Sequence, residues 1–544
     1  MDTSSATAQE LNLVDDEIKV LERVTQELKR QHNALVPISR LPPETLVEIF
    51  SLLPFPAGDS ECAPYLEWIR VTHVCRRWRE IAIHSPNLWT HINFTDLALA
   101  GITEIFSRAK MLPLRLEANI KYWKKARFNA LRRQLEAHVS HIRYLTISGG
   151  FQNLLERFIS PAPSLISLSL TTSSYPYESS KFVIPDSLFN GTAPKLTRLE
   201  LLGCSIRWTS PLLKGLQYLK IRTEYPQAIP KLEDWLAALN EMPQLKTLSL
   251  NNATPTISVD NPHISEPQRT ITLSSLTNFN ITASARDCAL ALTHLVLPAL
   301  ISLVVTSESE SQDGDDVRIL IPYAARNAYG PQDTAPFRAM LLNGEKMLAA
   351  IVAWTIPDAD VGVCNWVTMF KAAASARLVF SVTPDNDNGF RGGMETLILD
   401  SMLSLLSLNT ISTLSTQKDT RLSKELWLSH APKLTNLNRV LLFSEAIKAF
   451  GEMLEEDASS SGLLRLPQLT TLILSNVELK APVTHHLRDI LVKRKERGVP
   501  LEALDLRTCT GPERAIKLLS ETVGNVQGPT NTFWVRDLAS FGWE

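Results

Sequence analysis

The feature that most restricts what this chain can become is a recurrent apolar phrase, Leu-x-x-Leu-x-Leu, which makes the chain repetitive after Phe94 and marks 96–544 as one degenerate array. The clear copies each follow a proline by one residue. They are Pro163-Ser164-Leu165-Ile166-Ser167-Leu168-Ser169-Leu170, Pro194-Lys195-Leu196-Thr197-Arg198-Leu199-Glu200-Leu201, Pro243-Gln244-Leu245-Lys246-Thr247-Leu248-Ser249-Leu250 and Pro467-Gln468-Leu469-Thr470-Thr471-Leu472-Ile473-Leu474. Weaker copies start at Ile142, Leu216, Leu276, Leu300, Met394, Leu437 and Leu501. Leu-x-Leu has the period of two that sends alternate side chains of a strand to opposite faces. Helical or loop stretches lie between copies, such as Leu232 to Met242 and Val483 to Arg497. A short strand with a return segment, repeated, buries its apolar face only by stacking on its neighbours. The pattern therefore predicts an α/β solenoid with a parallel sheet on its inner face. An ordinary α/β domain with several parallel strands is the other fold it allows.

Two copies carry an added cysteine, in Leu196-x-x-Leu199-x-Leu201-x-x-Cys204 and Leu501-x-x-Leu504-x-Leu506-x-x-Cys509. With it, the array resembles the leucine-rich repeat family, which implies a horseshoe whose concave side holds a protein. Most copies lack the Asn or Cys that bonds the turn backbone in that family. Copies are also spaced unevenly, by about 20 to about 32 residues, so the horseshoe implied is irregular. The segment from Thr306 to Gly393 fits worst and reads as longer repeats or an insertion, at about 306–393. Its run Glu308-Ser309-Glu310-Ser311-Gln312-Asp313-Gly314-Asp315-Asp316 reads as a solvated loop, without the spacing of a calcium-binding loop. Within the segment, Met340 to Trp354 reads as a helix and Ala376 to Val382 as a strand.

Upstream lies a small helical unit, 37–95. Pro42 and Pro43 suit a first helical turn, where a missing N–H costs nothing, and Glu44 sits where the helix dipole favours an anion. Leu46, Ile49, Phe50 and Leu53 follow as one apolar stripe, and Pro54 and Pro56 end the helix. A second apolar series runs through Trp68, Ile69, Thr72 and Cys75 to Trp78, Ile81 and Ala82, and Leu88-Trp89 closes the unit. Three short helices in under about 60 residues bury only part of their surface alone, so the unit needs a neighbour in the chain or a partner.

Leu41-Pro42-x-Glu44-x-Leu46-x-x-Ile49-Phe50-x-x-Leu53, then Val74-Cys75-Arg76-x-Trp78-Arg79 and Leu88-Trp89, resembles an F-box, of the F-box-like kind abundant in mushroom-forming fungi. One departure is the long stretch Pro54 to Glu67, with Cys62, Pro56 and Pro64. The resemblance implies helix-in-groove docking on the Skp-family adaptor of a cullin-based ubiquitin ligase. Carried over by motif position, the contact or contact-supporting residues are Leu41, Pro42, Leu46, Ile49, Phe50, Val74, Cys75, Trp78, Leu88 and Trp89. It further implies a substrate-receptor subunit that supplies no catalytic residue, metal or cofactor. An interaction scaffold unconnected with degradation is the alternative.

The first 36 residues read as one helix over Leu11 to Leu35, in which Val14, Ile18, Leu21, Leu28 and Leu35 form a heptad seam completed by Thr25 and His32. About three heptads is the lower limit for an independent coiled coil, so the helix either self-associates or packs on its own chain.

A length of 544 residues implies two or more folded units or one long array. A formal net charge of -2 exerts no long-range pull on nucleic acid or acidic membrane. Six scattered cysteines without C-x-x-C suit reduced thiols, no run approaches a membrane span, and Met1 to Glu10 has no apolar signal core. These features predict a cytoplasmic or nuclear protein. No H-E-x-x-H, G-x-S-x-G, Walker or kinase motif occurs. His485-His486 reads as part of a surface helix. Lys121-Tyr122-Trp123-Lys124-Lys125-Ala126-Arg127-Phe128 reads as aromatic side chains facing a core edged by basic stems, not as a nucleic-acid reader. Lys493-Arg494-Lys495-Glu496-Arg497 reads as a helix C-terminus stopped at Gly498 and Pro500.

Overall fold

The computed structural model describes residues 3–53, 67–95, 99–121, 123–172, 182–223, 229–257, 267, 269–311, 314–329, 336–356, 376–384, 389–390, 393–418, 420–456 and 465–528. The stretch Pro54 to Glu67 and Cys364 lie wholly or mostly outside them, as does Tyr122. The chain divides into two units, Met1–Ser179 with Ile184–Arg198, and Ser180–Val183 with Leu199–Glu544. It is mixed α/β throughout, opening on a long helix and continuing into mostly parallel sheet.

The first unit begins with α1 (Thr3–Leu35), α2 (Pro43–Ser51) and α3 (Arg76–His84). It continues through β1 (His91–Asn93), α4 (Leu99–Ala109), β2 (Leu114–Asn119), α5 (Lys125–His138), β3 (Ile142–Ser148) and β4 (Ser167–Thr171). The four strands pair in sequence order, all parallel. In β2, Leu114, Leu116 and Ala118 point into the core while Arg115 and Asn119 face out, the alternation of a strand covered on one side.

In the second unit Tyr218–Arg222, Thr247–Asn251, Asn278–Ser284, Ser302–Ser309 and Leu378–Pro384 pair in that order, all parallel. Leu348–Trp354 follows as an antiparallel strand, and Ala339–Glu345 pairs antiparallel with it. Parallel pairing then resumes through Thr413–Thr416, Arg439–Phe443, Thr471–Ser475, Ala503–Asp505 and Asn525–Gln527.

All but one of the Leu-x-x-Leu-x-Leu copies lie on strands. The exception is Met394: helix Met394–Leu405 buries Met394, Ile398, Leu399, Met402 and Leu403 at helical spacing, and Leu397, a leucine of the copy, is left 48% exposed. The helix expected over Met340 to Trp354 is instead the hairpin Ala339–Glu345 with Leu348–Trp354. Every residue of Leu348–Trp354 is buried, so both faces are apolar and no period of two survives to mark a strand. The acidic run is also more ordered than a solvated loop. Its first residues end strand Ser302–Ser309 and its last open helix Asp315–Tyr329. Asp316, only 1% exposed, accepts hydrogen bonds from the backbone N–H of Glu310 (2.7 Å) and Val317 (2.9 Å) and from the Ser309 hydroxyl (3.0 Å). Gln312 and Asp313 lie outside the described residues. The strand expected at Ala376 to Val382 is present as Leu378–Pro384.

Several strands end on a residue in the left-handed region: Gly149, Gly203, Asn252 and Asn476. The first of these is the most constrained. At Gly149 φ is +108°, and a Cβ there would lie 2.6 Å from the backbone nitrogen of Lys121. Gly149→Ala is therefore expected to lower stability by about 1–3 kcal/mol, since strain and a backbone clash act together. An unchanged thermal midpoint would refute this.

Candidate functional site

The unit between α1 and β1 builds its own core from aromatic side chains. The apolar stripe of α2 turns Leu46 and Phe50 fully inward, and the Phe50 ring meets Trp78 of α3 at 5.0 Å. Trp68 stands edge-on to Trp89 at 4.9 Å, and Trp89 Nε1 donates to the Ala82 carbonyl (2.8 Å) where α3 ends. Two arginines fix the loops. Arg77 donates to the carbonyls of Ser39 and Leu41 (2.7 Å to Leu41), tying α3 to the segment before α2. Arg79 donates to the Thr72 carbonyl (2.7 Å), closing the turn into α3. On its far side the core continues into α4: the Arg108 guanidinium lies 4.4 Å over the Trp89 ring and is held by Glu104 at 2.8 Å.

The residues singled out in the sequence thus fall into three groups. Leu46, Phe50, Leu88 and Trp89 are buried; Leu41, Cys75 and Trp78 are half-buried; Pro42, Ile49 and Val74 are exposed. Pro42 caps the helix on which Ile49 lies two turns later, so the two share one helix face. Sequence reasoning missed two exposed apolar neighbours, Ile38 (40%) and Leu52 (81%). Leu52 is the more telling, because it stands beside the buried stripe rather than in it. An amphipathic helix that keeps a leucine on its wet side carries the signal of a second surface.

Other candidate chemistry resolves into structure. Arg127 lies 4.4 Å over Trp123 and donates to the carbonyls of Phe94 and Thr95 (2.7 Å to Thr95), so this cation holds the exit of β1. Trp123 and Phe128 are half-buried rather than core. Helix Ala481–Glu496 ends before Gly498, whose φ is +81°, and Arg494 is buried, donating to the carbonyls of Arg465 (3.1 Å) and Leu466 (3.0 Å). On the same helix His485 is exposed, while His486 Nδ1 is 3.5 Å from Glu455, a carboxylate distant in sequence. Among the described residues no group of three or more metal-binding side chains occurs, and no helix is long and apolar enough to cross a membrane.

One titratable pair does affect stability. His138 stacks on Phe106 at 4.5 Å, and its Nδ1 faces Nε2 of the buried His141 at 3.2 Å. Burial pushes both imidazoles below the ordinary histidine value of 6.5, with His141 adding to the effect on His138. The unfolded chain then binds more protons than the folded one just below pH 6.5. Stability is full above that pH and falls as pH drops toward the lower folded values. The thermal midpoint of the first unit is expected to fall between pH 7 and 5, and His141→Phe to flatten that slope; parallel slopes would refute it.

Residues 38–95 match the model of the F-box-like family. An F-box-like domain therefore occupies this stretch, a protein-interaction module of the kind that binds Skp-type adaptors. No curated protein matches the chain.

Proposed function

We propose that this protein is the substrate receptor of a Skp adaptor–cullin ubiquitin ligase. The carrying observation is the division of labour within the F-box-like domain. Leu46, Phe50, Leu88 and Trp89 hold its core, while Pro42, Ile49 and Val74 remain exposed. Apolar side chains left in water beside a completed core, two of them on one face of α2, are the kind of surface that a helix-in-groove contact covers. In this reading Leu41, Cys75 and Trp78 border the contact and the buried residues shape it.

The remaining strands act as an irregular leucine-rich array that holds a target protein. Placement of most of the Leu-x-x-Leu-x-Leu copies on parallel strands supports this. So do the buried cysteines after two copies: Cys509 donates to the Leu474 carbonyl (3.2 Å), and burial pushes the Cys204 thiol up to about 12. A thiol so protonated serves packing rather than reaction. The chemistry of ubiquitin transfer is then supplied by other subunits, and this chain contributes proximity, raising the effective concentration of target lysines.

The test is affinity capture of the full chain from cells in which the proteasome is inhibited. Recovery of a Skp-family adaptor and a cullin, with a third protein whose ubiquitin-dependent turnover needs this chain, supports the reading. Adaptor without such a protein favours the scaffold alternative. No adaptor refutes both.

A further inference from the structure

Helix α1 carries a surface that the described residues of its own chain leave uncovered. Over residues 11–35 no side chain is buried, and Leu11, Val14, Ile18, Leu21, Leu28 and Leu35 are between 47% and 77% exposed. Their spacing alternates three and four, with Thr25 and His32 filling the remaining places, so they form one seam along the helix. A helix that exposes such a seam over residues 11–35 is stabilised in water by a second helix of matching pattern.

The charges say which helix and which way round. Residues 11–22 carry Asp15, Asp16, Glu17 and Glu22 against Lys19, whereas residues 23–35 carry Arg23, Lys29 and Arg30 against Glu27. The two ends of one copy are therefore electrostatically complementary to the opposite ends of another. We propose that α1 pairs antiparallel with α1 of a second copy of this chain, making the protein a homodimer.

Register follows from the seam. Leu11 meets Leu35 of the second copy, Ile18 meets Leu28, Val14 meets His32 and Leu21 meets Thr25. Each polar seam residue then packs against an apolar one, instead of against its own kind as in a parallel pair. Beside the seam, Asp15 faces Lys29 twice and Glu22 faces Glu22 once. A parallel pair would set Glu17 against Glu22 twice with no attraction in exchange, so the antiparallel arrangement is favoured. This inference is independent of adaptor binding, because it uses no residue of the F-box-like domain.

The test is light scattering of the full chain between about 1 and 100 µM, a range in which mass action reports weak pairing. The expected result is twice the 60.7 kDa chain mass, falling to one chain mass in Leu21→Asp with the thermal melt of the remainder unchanged. Orientation is read by oxidative cross-linking and peptide mass. Ile18→Cys mixed with Leu28→Cys should link 18 to 28, while Leu28→Cys alone should not link to itself. A monomer across the range, a dimer that survives Leu21→Asp, or a 28–28 link each overturns the proposal.

Discussion

Ile49→Glu combined with Val74→Glu is expected to abolish capture of a Skp-family adaptor while leaving the protein folded. Both side chains are exposed, by 36% and 59%, so neither charge enters the core and the stability change should stay within about 0.5 kcal/mol each. In the docked state the same carboxylates would be desolvated in an apolar groove. At about 2 kcal/mol for each central apolar contact, affinity should fall about a thousandfold. Leu46→Arg, the obvious disruption of the motif, would answer less. Leu46 is fully buried, and an unpaired guanidinium there would unfold the domain and lose the adaptor for that reason alone. Circular dichroism separates the two cases. If the folded double variant recovers as much adaptor as wild type, docking does not use this face.

That contrast shows what the sequence could and could not carry. The apolar positions Leu46, Ile49, Phe50 and Leu53 are legible as a single stripe, yet only Leu46 and Phe50 go fully inward. Which half of a stripe becomes core depends on where α3 lies, and Trp78 settles that through Phe50, a contact distant in sequence. The strands covered on one side were readable because burial alternates. In Thr247–Asn251, Leu248 and Leu250 are buried between half-buried Thr247, Ser249 and Asn251. The hairpin Ala339–Glu345 with Leu348–Trp354 was not, because burial on both faces erases the period that distinguishes strand from helix. Met394 misled for the opposite reason. Its Met-x-x-Leu-x-Leu spelling is shared with a helix whose inward residues fall at 394, 398, 399, 402 and 403.

Trp89→Ala is expected to cost about 3–5 kcal/mol, the usual range for deleting a buried tryptophan, and to act beyond the F-box-like domain. Trp89 is 3% exposed and meets three elements at once: Trp68 edge-on, the Ala82 carbonyl through its indole N–H, and Arg108 of α4 over its face. Removing it leaves a cavity, an acceptor without its donor, and a guanidinium without its ring. Because β1 starts two residues later and pairs with β2, the loss should pass into the sheet. Hydrogen exchange would then show amides of α3, β1 and α4 losing protection together. Trp89→Phe keeps much of the packing and loses only the indole donor, so it should cost about 1 kcal/mol. If Trp89→Ala loosens α3 while β1 and α4 keep wild-type protection, the domain is an independent bead and not part of one core with the first strands. The joint loss would mean that an adaptor gripping this domain also grips the start of the sheet, with no soft hinge at the Leu88-Trp89 pair. A target held farther along the first unit would then be presented at a fixed distance rather than at the end of a flexible tether, which favours transfer to a limited set of its lysines.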